Sequence, residues 1–265
     1  MYDFRYERPE TLEEAVDRAK SPDSKLLAGG MSLLPTIKLR LARYDTLVDL
    51  GRIDRLRGIR KEGNALVIGA LTRHADVAAS DLVRNTVPAL AALAGGIGDP
   101  LVRNRGTIGG SIANADPAAD YPSSILGLGA TIVTNRRAIG GDEFFTGLFE
   151  TALEAGEIIT EVRYPIPKRA GYAKYPNPAS RFAIVGVFVA ERADGMRVAV
   201  TGAADSVFRL GQAEEILSHR FAADSLDEMA VPPGDLNSDI HASAEYRAHA
   251  IVVMTRRAVG AALSN

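Results

Sequence analysis

Cysteine is missing altogether from the 265 residues. That removes disulfides, a thiol nucleophile, a cysteine-ligated zinc and any cysteine-held iron–sulfur cluster from this chain. Positive charge is not in excess either: 31 basic against 33 acidic residues leave a net charge of −2, so no basic field favours nucleic acid or an anionic membrane surface. Nor is there a long hydrophobic run. The longest, Ala183 to Ala190 interrupted only by Gly186, falls far short of the ~20 residues that span a bilayer. Met1-Tyr2-Asp3-Phe4-Arg5 lacks the basic-then-apolar order of a signal peptide, so a cytoplasmic protein is expected.

What is present is an ordinary globular composition, 46% apolar and 24% charged, at a length that suits one large or two modest domains. Thr11-Leu-Glu-Glu14 has capping-box spacing, and Leu12, Ala15, Val16 and Ala19 continue at helical period, which predicts a helix over 11–20. Short apolar runs at 26–28 and 46–50 flank a helix beginning after Ser32, a β-α-β unit. Further along, 65–71 reads as a strand, 87–93 and 123–128 as helices, and 131–134 as a strand. The run P-I-P-K-R-A-G breaks regular structure around Tyr164 to Gly171 and marks a boundary. Beyond it, 182–190 and 196–203 surround Asp194-Gly195 and predict an antiparallel hairpin, followed by helices at 212–218, 225–229 and 242–263.

Glycine is abundant, 25 residues with doublets at 29/30, 95/96, 109/110 and 140/141, and doublets permit close approach to the backbone. In A-G-G-M-S-L-L-P (28–35), Ser32 at the N-cap puts Pro35 in the first helical turn, and the free N–H groups there suit a phosphate. A tight turn with no ligand explains the same residues. No lysine follows at P-loop spacing, and Gly96-Ile-Gly98-Asp-Pro-Leu101 misses the third glycine of the dinucleotide fingerprint. A second stretch, Arg103 to Asp120, repeats a glycine doublet beside a hydroxyl and then supplies Asp116 and Asp120, carboxylates that can accept from ribose or adenine. Two backbone cradles suit a diphosphate held from both sides. A glycine-rich turn with helix-capping aspartates stays open as the alternative.

These residues carry a likeness to a known family. A-G-G-M-S-L-L-P at 28–35, I-G-D-P-L-V-R-N-R-G-T-I-G-G-S at 97–111 and A-D-P-A-A-D-Y-P at 115–122 resemble the FAD-binding medium subunit of the molybdenum hydroxylases. That is the family of carbon monoxide dehydrogenase, xanthine dehydrogenase and aldehyde oxidoreductases. The likeness continues through 144–165, 172–187 and 239–247, nearly the whole chain in order. It implies an α+β fold with a two-part FAD-binding domain of the PCMH (vanillyl-alcohol-oxidase-like) type at 1–167, divided at about residue 55. A C-terminal domain at 168–265, an antiparallel sheet with helices, follows. It implies further that Leu26, Leu27, Ala28, Gly29, Gly30, Met31, Ser32 and Leu33 wrap the FAD pyrophosphate with Thr107, Ile108, Gly109, Gly110 and Ser111. Ile97 is then near the flavin, Asp120 at the ribose or adenine end, Ile159 in contact through its backbone, and Lys174 at the FAD site, with Asn114 and Asp116 inside the matched motif. Phe182 stands where some relatives carry tyrosine, so a ring is kept and a hydroxyl lost.

The missing cysteines agree with the division of labour in that family. There a large subunit holds molybdopterin, a small subunit holds two [2Fe-2S] clusters, and the FAD subunit passes electrons to a terminal acceptor. The resemblance thus implies a heterotrimer, dimerised in turn, with no catalytic residue and no metal ligand in this chain. Neither a cysteinyl–flavin link nor a histidine inside the glycine motifs is available, so FAD is expected to be non-covalent. His241, Glu245 and His249 are zinc-ligand types, but on a helix the outer two stand ~12 Å apart along the axis. Arg52, Arg55, Arg57, Arg60 and Lys61 are interleaved with acids and read as solvated surface. A self-contained FAD oxidoreductase and a cofactor-less assembly subunit are the rival readings. Under the FAD reading, Gly110→Val is expected to abolish FAD retention with the fold largely kept; full FAD occupancy by absorption spectroscopy would show the cradle to be misplaced.

Overall fold

The computed structural model describes residues 1–264 and shows three main sheets in succession, with a two-stranded ribbon, Phe145–Gly147 against Glu150–Thr151, between the second and third, an α+β arrangement. The first is parallel: Thr46–Asp49 lies between Arg5–Glu7 and Ser24–Leu27. Thr11 caps the helix Leu12–Arg18 by accepting from the Glu14 N–H at 3.2 Å, and the Glu14 carboxylate accepts from the Glu10 N–H at 3.1 Å. One orphan donor of the helix is thereby satisfied, and the residue before the cap is tied back to the first turn. Ser24–Leu27, the helix Leu33–Lys38 and Thr46–Asp49 form the β-α-β unit. Ser32 does precede that helix, but its hydroxyl caps nothing; the turn is held instead by Leu34 N–H to Gly30 O at 3.1 Å. Leu12, Ala15, Val48, Leu50, Ile53 and Leu56 make the core here, and Leu71 and Ile158 close it from the next layer.

The second sheet is antiparallel in the order Ile59–Glu62, Ala65–Gly69, Ile159–Pro165, Thr131–Thr134, Ala138–Gly140. Leu66, Ile68, Ile132 and Val162 pack against helices Pro88–Gly95, Ile108–Asn114 and Tyr121–Leu128. Each such side chain, fully buried, contributes about 1.5–3 kcal/mol, so this layer is a principal source of stability. The third sheet follows the order Arg169–Pro176, Ala183–Arg192, Gly195–Thr201, Phe208–Arg209, with Arg192 opposite Gly195 at the expected hairpin. Ala183–Arg192 is buried over its first eight residues because both faces are covered. Phe188 and Ala190 join the second layer's core, where Phe188 fits against Gly127; Val187 and Val189 face a separate core that includes Ile251, Met254 and Val259 of the helix Ala244–Ser264.

Three expectations change. The helix expected at 225–229 is a short 3-10 turn, Ala223–Leu226, whose bonds Ser225 N–H to Ala222 O and Asp227 N–H to Asp224 O never lengthen to helical spacing before Pro232 and Pro233. The break expected over 164–171 shrinks to 166–168: Pro165 ends one strand, and Arg169 already pairs with Glu191 in the next. His241 precedes the helix that begins at Ala244, so it does not share a helical face with Glu245 and His249.

Glu157 locks the entry to the central strand Ile159–Pro165. Its carboxylate accepts from Arg137 Nε at 3.0 Å, Thr134 Oγ1 at 2.8 Å and the Glu154 N–H at 2.9 Å. Burial pushes its pKa up, but those donors outweigh burial and hold it at about 2 against an ordinary 4.5. The folded pKa is depressed, so the stabilisation is full above pH 4.5 and is lost as pH falls toward 2. Glu157→Gln is expected to cost roughly 1–3 kcal/mol at neutral pH. In urea denaturation the gap between variant and native protein should close through that acid window; a gap independent of pH would contradict the ionised role.

Candidate cofactor site

The two glycine stretches meet backbone to backbone. A β-carbon on Gly29 would stand 2.2 Å from the Arg105 carbonyl oxygen and 2.8 Å from the Gly106 α-carbon, so only glycine lets the strand-to-helix turn reach the second loop. Gly30 has φ +75, the left-handed region that swings the chain into the helix Leu33–Lys38. Gly109 is equally a packing residue, with a β-carbon there falling 2.6 Å from Ala70 Cβ. Gly110 differs: its neighbours are Thr107 Oγ1 at 2.9 Å and Ala28 Cβ at 3.5 Å from the β-carbon position, which sets it at the seam between the stretches.

Donors are unevenly divided across that seam. Among the described residues no acceptor meets the N–H groups of Gly29, Gly30, Met31 or Ser32. In the second stretch Ile108 N–H donates to Thr72 O at 3.1 Å, Gly109 N–H to Ala70 O at 2.8 Å and Gly110 N–H to Thr107 Oγ1 at 3.2 Å. The first stretch therefore offers bare donors, and the second a capped helix start, Ile108–Asn114, with the half-buried Ser111 hydroxyl on its first turns. Leu27 is buried and Leu26 packs on the first core, so neither side chain is available to a ligand; Leu33 is half-buried.

A second group of the expected residues gathers at the junction with the third sheet. Lys174 Nζ donates to Gly96 O at 2.8 Å and Arg181 O at 3.0 Å and pairs with Asp120 Oδ1 at 2.8 Å. Ile97 and Phe182 are the residues that follow those two carbonyls, which brings both to one neighbourhood; Phe182 is 45% exposed. Asp120 is buried, and its Oδ1 also accepts from Tyr172 Oη at 2.5 Å. Burial pushes the Asp120 carboxyl upward, against the opposing charge of Lys174. Asp116 accepts from Ala118 N–H at 2.9 Å, and burial raises its pKa as well. Asn114 ends the helix before Ala115, whose φ is +45. Ile159 is buried, and Thr160 O beside it accepts from Ala70 N–H, which ties the strand to the loop under Gly109.

A cradle of free donors with no room for side chains is what a diphosphate group fits. The sequence profile described as "FAD binding domain in molybdopterin dehydrogenase" matches residues 2–167. The chain belongs to that family. It is 37% identical over 281 residues to the carbon monoxide dehydrogenase medium chain of Hydrogenophaga pseudoflava, covering 98% of this chain and 96% of that one. It is 34% identical over 271 residues to the nicotine 6-hydroxylase medium subunit of Paenarthrobacter nicotinovorans, covering 97% and 96%. The solved structure of reconstituted CO dehydrogenase from Oligotropha carboxidovorans superposes with a TM-score of 0.91 at 32% identity, covering 99% of this chain and 98% of that one.

Three residues around this site, Tyr172 of them in the third sheet, escape a reading of the sequence. Arg103 donates to Ile97 O and Gly98 O, both at 2.9 Å, and so folds the Ile97–Gly98 turn onto itself. His74 wedges under the second stretch, with Nε2 2.5 Å from where a Gly106 β-carbon would stand; burial, with the charge of Arg103, lowers its pKa to about 4. Tyr172 orients Asp120. Nothing in T-R-H or G-Y-A marks them, because each acts through a contact distant in sequence. Gly29→Ala is expected to force the stretches apart and lower bound FAD severalfold. Gly140→Ala, whose β-carbon meets nothing within 4 Å, should leave it unchanged. Equal FAD content of the two purified variants would contradict the packing role.

Proposed function

We propose that this chain is the FAD-carrying electron-transfer subunit of a heteromeric molybdenum hydroxylase. It accepts electrons from the [2Fe-2S] clusters of a small partner subunit and passes them to a terminal acceptor, while substrate oxidation takes place at molybdopterin in a large partner subunit. The complex is a dimer of heterotrimers in the cytoplasm. Residues 1–167 form the FAD-binding domain, in parts of about 1–55 and 56–167, and 168–265 the C-terminal domain, residue 265 lying outside the described residues.

The observation that carries this reading is the row of unengaged N–H groups at Gly29 to Ser32 opposite Gly110. Leu26 to Leu33 supply backbone to one side of the FAD diphosphate, and Thr107 to Ser111 the other, with the Ser111 hydroxyl as a further donor. With Oδ1 of Asp120 engaged by Lys174 and Tyr172, Oδ2 is the atom left to accept from a ribose or adenine group. Asn114 and Asp116 are assigned to the same end of the cofactor, and Ile159 to a backbone contact with it. Ile97 and the exposed Phe182 ring are apolar covers for a flat isoalloxazine and keep water from it, while Lys174 fixes the two backbones that carry them. FAD, when bound, takes up electrons singly and releases them in pairs, which matches one-electron donors to two-electron acceptors.

The test is to purify the chain from its native host and mix it with its small subunit reduced beforehand. Co-purification of a molybdopterin and a [2Fe-2S] subunit, FAD released on denaturation, and bleaching of the flavin by the reduced small subunit are expected. Flavin reduced by an organic substrate without partners would establish a self-contained oxidoreductase. A preparation free of flavin would establish a scaffold.

A further inference from the structure

Between the strands Arg169–Pro176 and Ala183–Arg192 the chain makes a turn in which Arg181 has φ +62. That left-handed conformation is free to glycine and costly to other residues. The turn is fixed at every step. The side chain of the buried Asn177 accepts from the Ala179 and Ser180 N–H groups at 2.9 and 3.1 Å. The Asn177 N–H donates to Phe182 O at 2.8 Å, and Asn177 O accepts from the Arg181 N–H at 2.9 Å. Arg181 O in turn takes the Lys174 ammonium at 3.0 Å. All these bonds to residue 181 are made by backbone, so none of them calls for arginine.

The guanidinium itself is exposed, and among the described residues it donates to no acceptor, lies over no ring and pairs with no carboxylate. Acids of the surrounding segments are engaged elsewhere. Asp120 is buried against Lys174 and Tyr172, and Asp99, two residues from Ile97, caps the helix Pro100–Arg103 through the Val102 N–H at 2.9 Å. Position gives the free charge a use. Arg181 immediately precedes Phe182, the 45% exposed ring assigned to cover the isoalloxazine, and Lys174 ties Arg181 O and Gly96 O, the residue before Ile97, to one point. A cation thus stands on the rim of the flavin end of a chain whose net charge is −2. Such a cation raises the local concentration of anions, and a guanidinium takes phosphate or carboxylate through two parallel hydrogen bonds. A neutral quinone or oxygen gains nothing from it.

We propose that Arg181 receives the negative group of a small anionic terminal acceptor, a dinucleotide phosphate or a simple anionic oxidant, as it approaches the flavin beside Phe182. This rests on the electron-transfer reading above. Arg181 then favours charged acceptors over neutral ones. The strain has a reason as well: glycine would relieve the turn but would leave the rim without its charge.

The full chain with FAD bound is photoreduced without oxygen and mixed in a stopped-flow instrument with ferricyanide, p-benzoquinone or NAD⁺. Each fully reduced flavin gives up two electrons and two protons. Two ferricyanide ions take one electron each and the protons go to solvent; one quinone takes both electrons with both protons; NAD⁺ takes a hydride and one proton is released. At low salt Arg181→Gly is expected to slow reoxidation by ferricyanide about tenfold and Arg181→Glu further, while Arg181→Lys, which keeps the charge, changes it little. Reoxidation by benzoquinone should stay within about twofold in all three variants, and their FAD content should stay native. Added salt should slow the native chain with ferricyanide more than Arg181→Gly. A matching loss with NAD⁺ assigns the group to a dinucleotide phosphate, and a loss with ferricyanide alone to a simple anionic oxidant. Equal ferricyanide rates for the native chain and Arg181→Gly, or an equal slowing with benzoquinone, overturn the proposal and leave the electron-transfer reading standing. A native chain that holds no flavin overturns both.

Discussion

The contact between Gly29 and the Arg105–Gly106 backbone is the constraint on which the rest of the site depends. It joins a parallel β-α-β lobe to an antiparallel layer at a point where no side chain fits, so two segments about 75 residues apart behave as one surface. The left-handed Gly30 then turns the chain into the helix Leu33–Lys38, and among the described residues the N–H groups of Gly29 to Ser32 have no acceptor. Gly29 and Gly30 are half-buried and Met31 and Ser32 exposed, so these donors are open to solvent. An anionic diphosphate would accept from them in place of water, as the proposed cradle requires.

The second half of the site depends on Lys174. One ammonium group meets two carbonyls and a carboxylate drawn from three different elements, and it has almost no solvent: its side chain is 10% exposed and that of Asp120 4%. A buried pair of this kind is seldom worth its desolvation on stability grounds alone, whereas removing one member costs about 3–5 kcal/mol. Its value is geometric. It pins the end of the helix Pro88–Gly95 and the approach to strand Ala183–Arg192 to the same point, and these are the segments bearing Ile97 and Phe182. The third sheet is thus more than an appendage: through Phe188 against Gly127 and through Lys174 it helps to shape the cofactor-binding layer.

Much of this was legible in the sequence, for reasons that can be named. Thr11-Leu-Glu-Glu14, the turn at Asp194-Gly195 and the alternation of apolar runs are local signals, and local hydrogen bonds honour them. The glycine doublets point to close approach, but not to what approaches: Gly29 and Gly109 meet protein backbone or side chain, while the N–H groups of 29–32 are left without acceptors among the described residues. Ser32 looked like a cap because serine at that position usually is one; the preceding glycines already direct the turn, and its hydroxyl stays free. Arg103, His74 and Tyr172 were invisible because their partners at Ile97, Gly106 and Asp120 are set by packing rather than by spacing. Nor could periodicity show that Arg181 adopts a glycine's conformation.

Hydrogen exchange resolved to single amides tests the central claim most directly. With FAD bound to the purified chain, the amides of Gly29, Gly30, Met31 and Ser32, which lack acceptors within the protein, should exchange far more slowly than after FAD is removed. Those of Ile108 and Gly109, already bonded to Thr72 and Ala70, should change much less. Slowing confined to other segments, with 29–32 exchanging equally fast in both states, would contradict the assignment of the cradle.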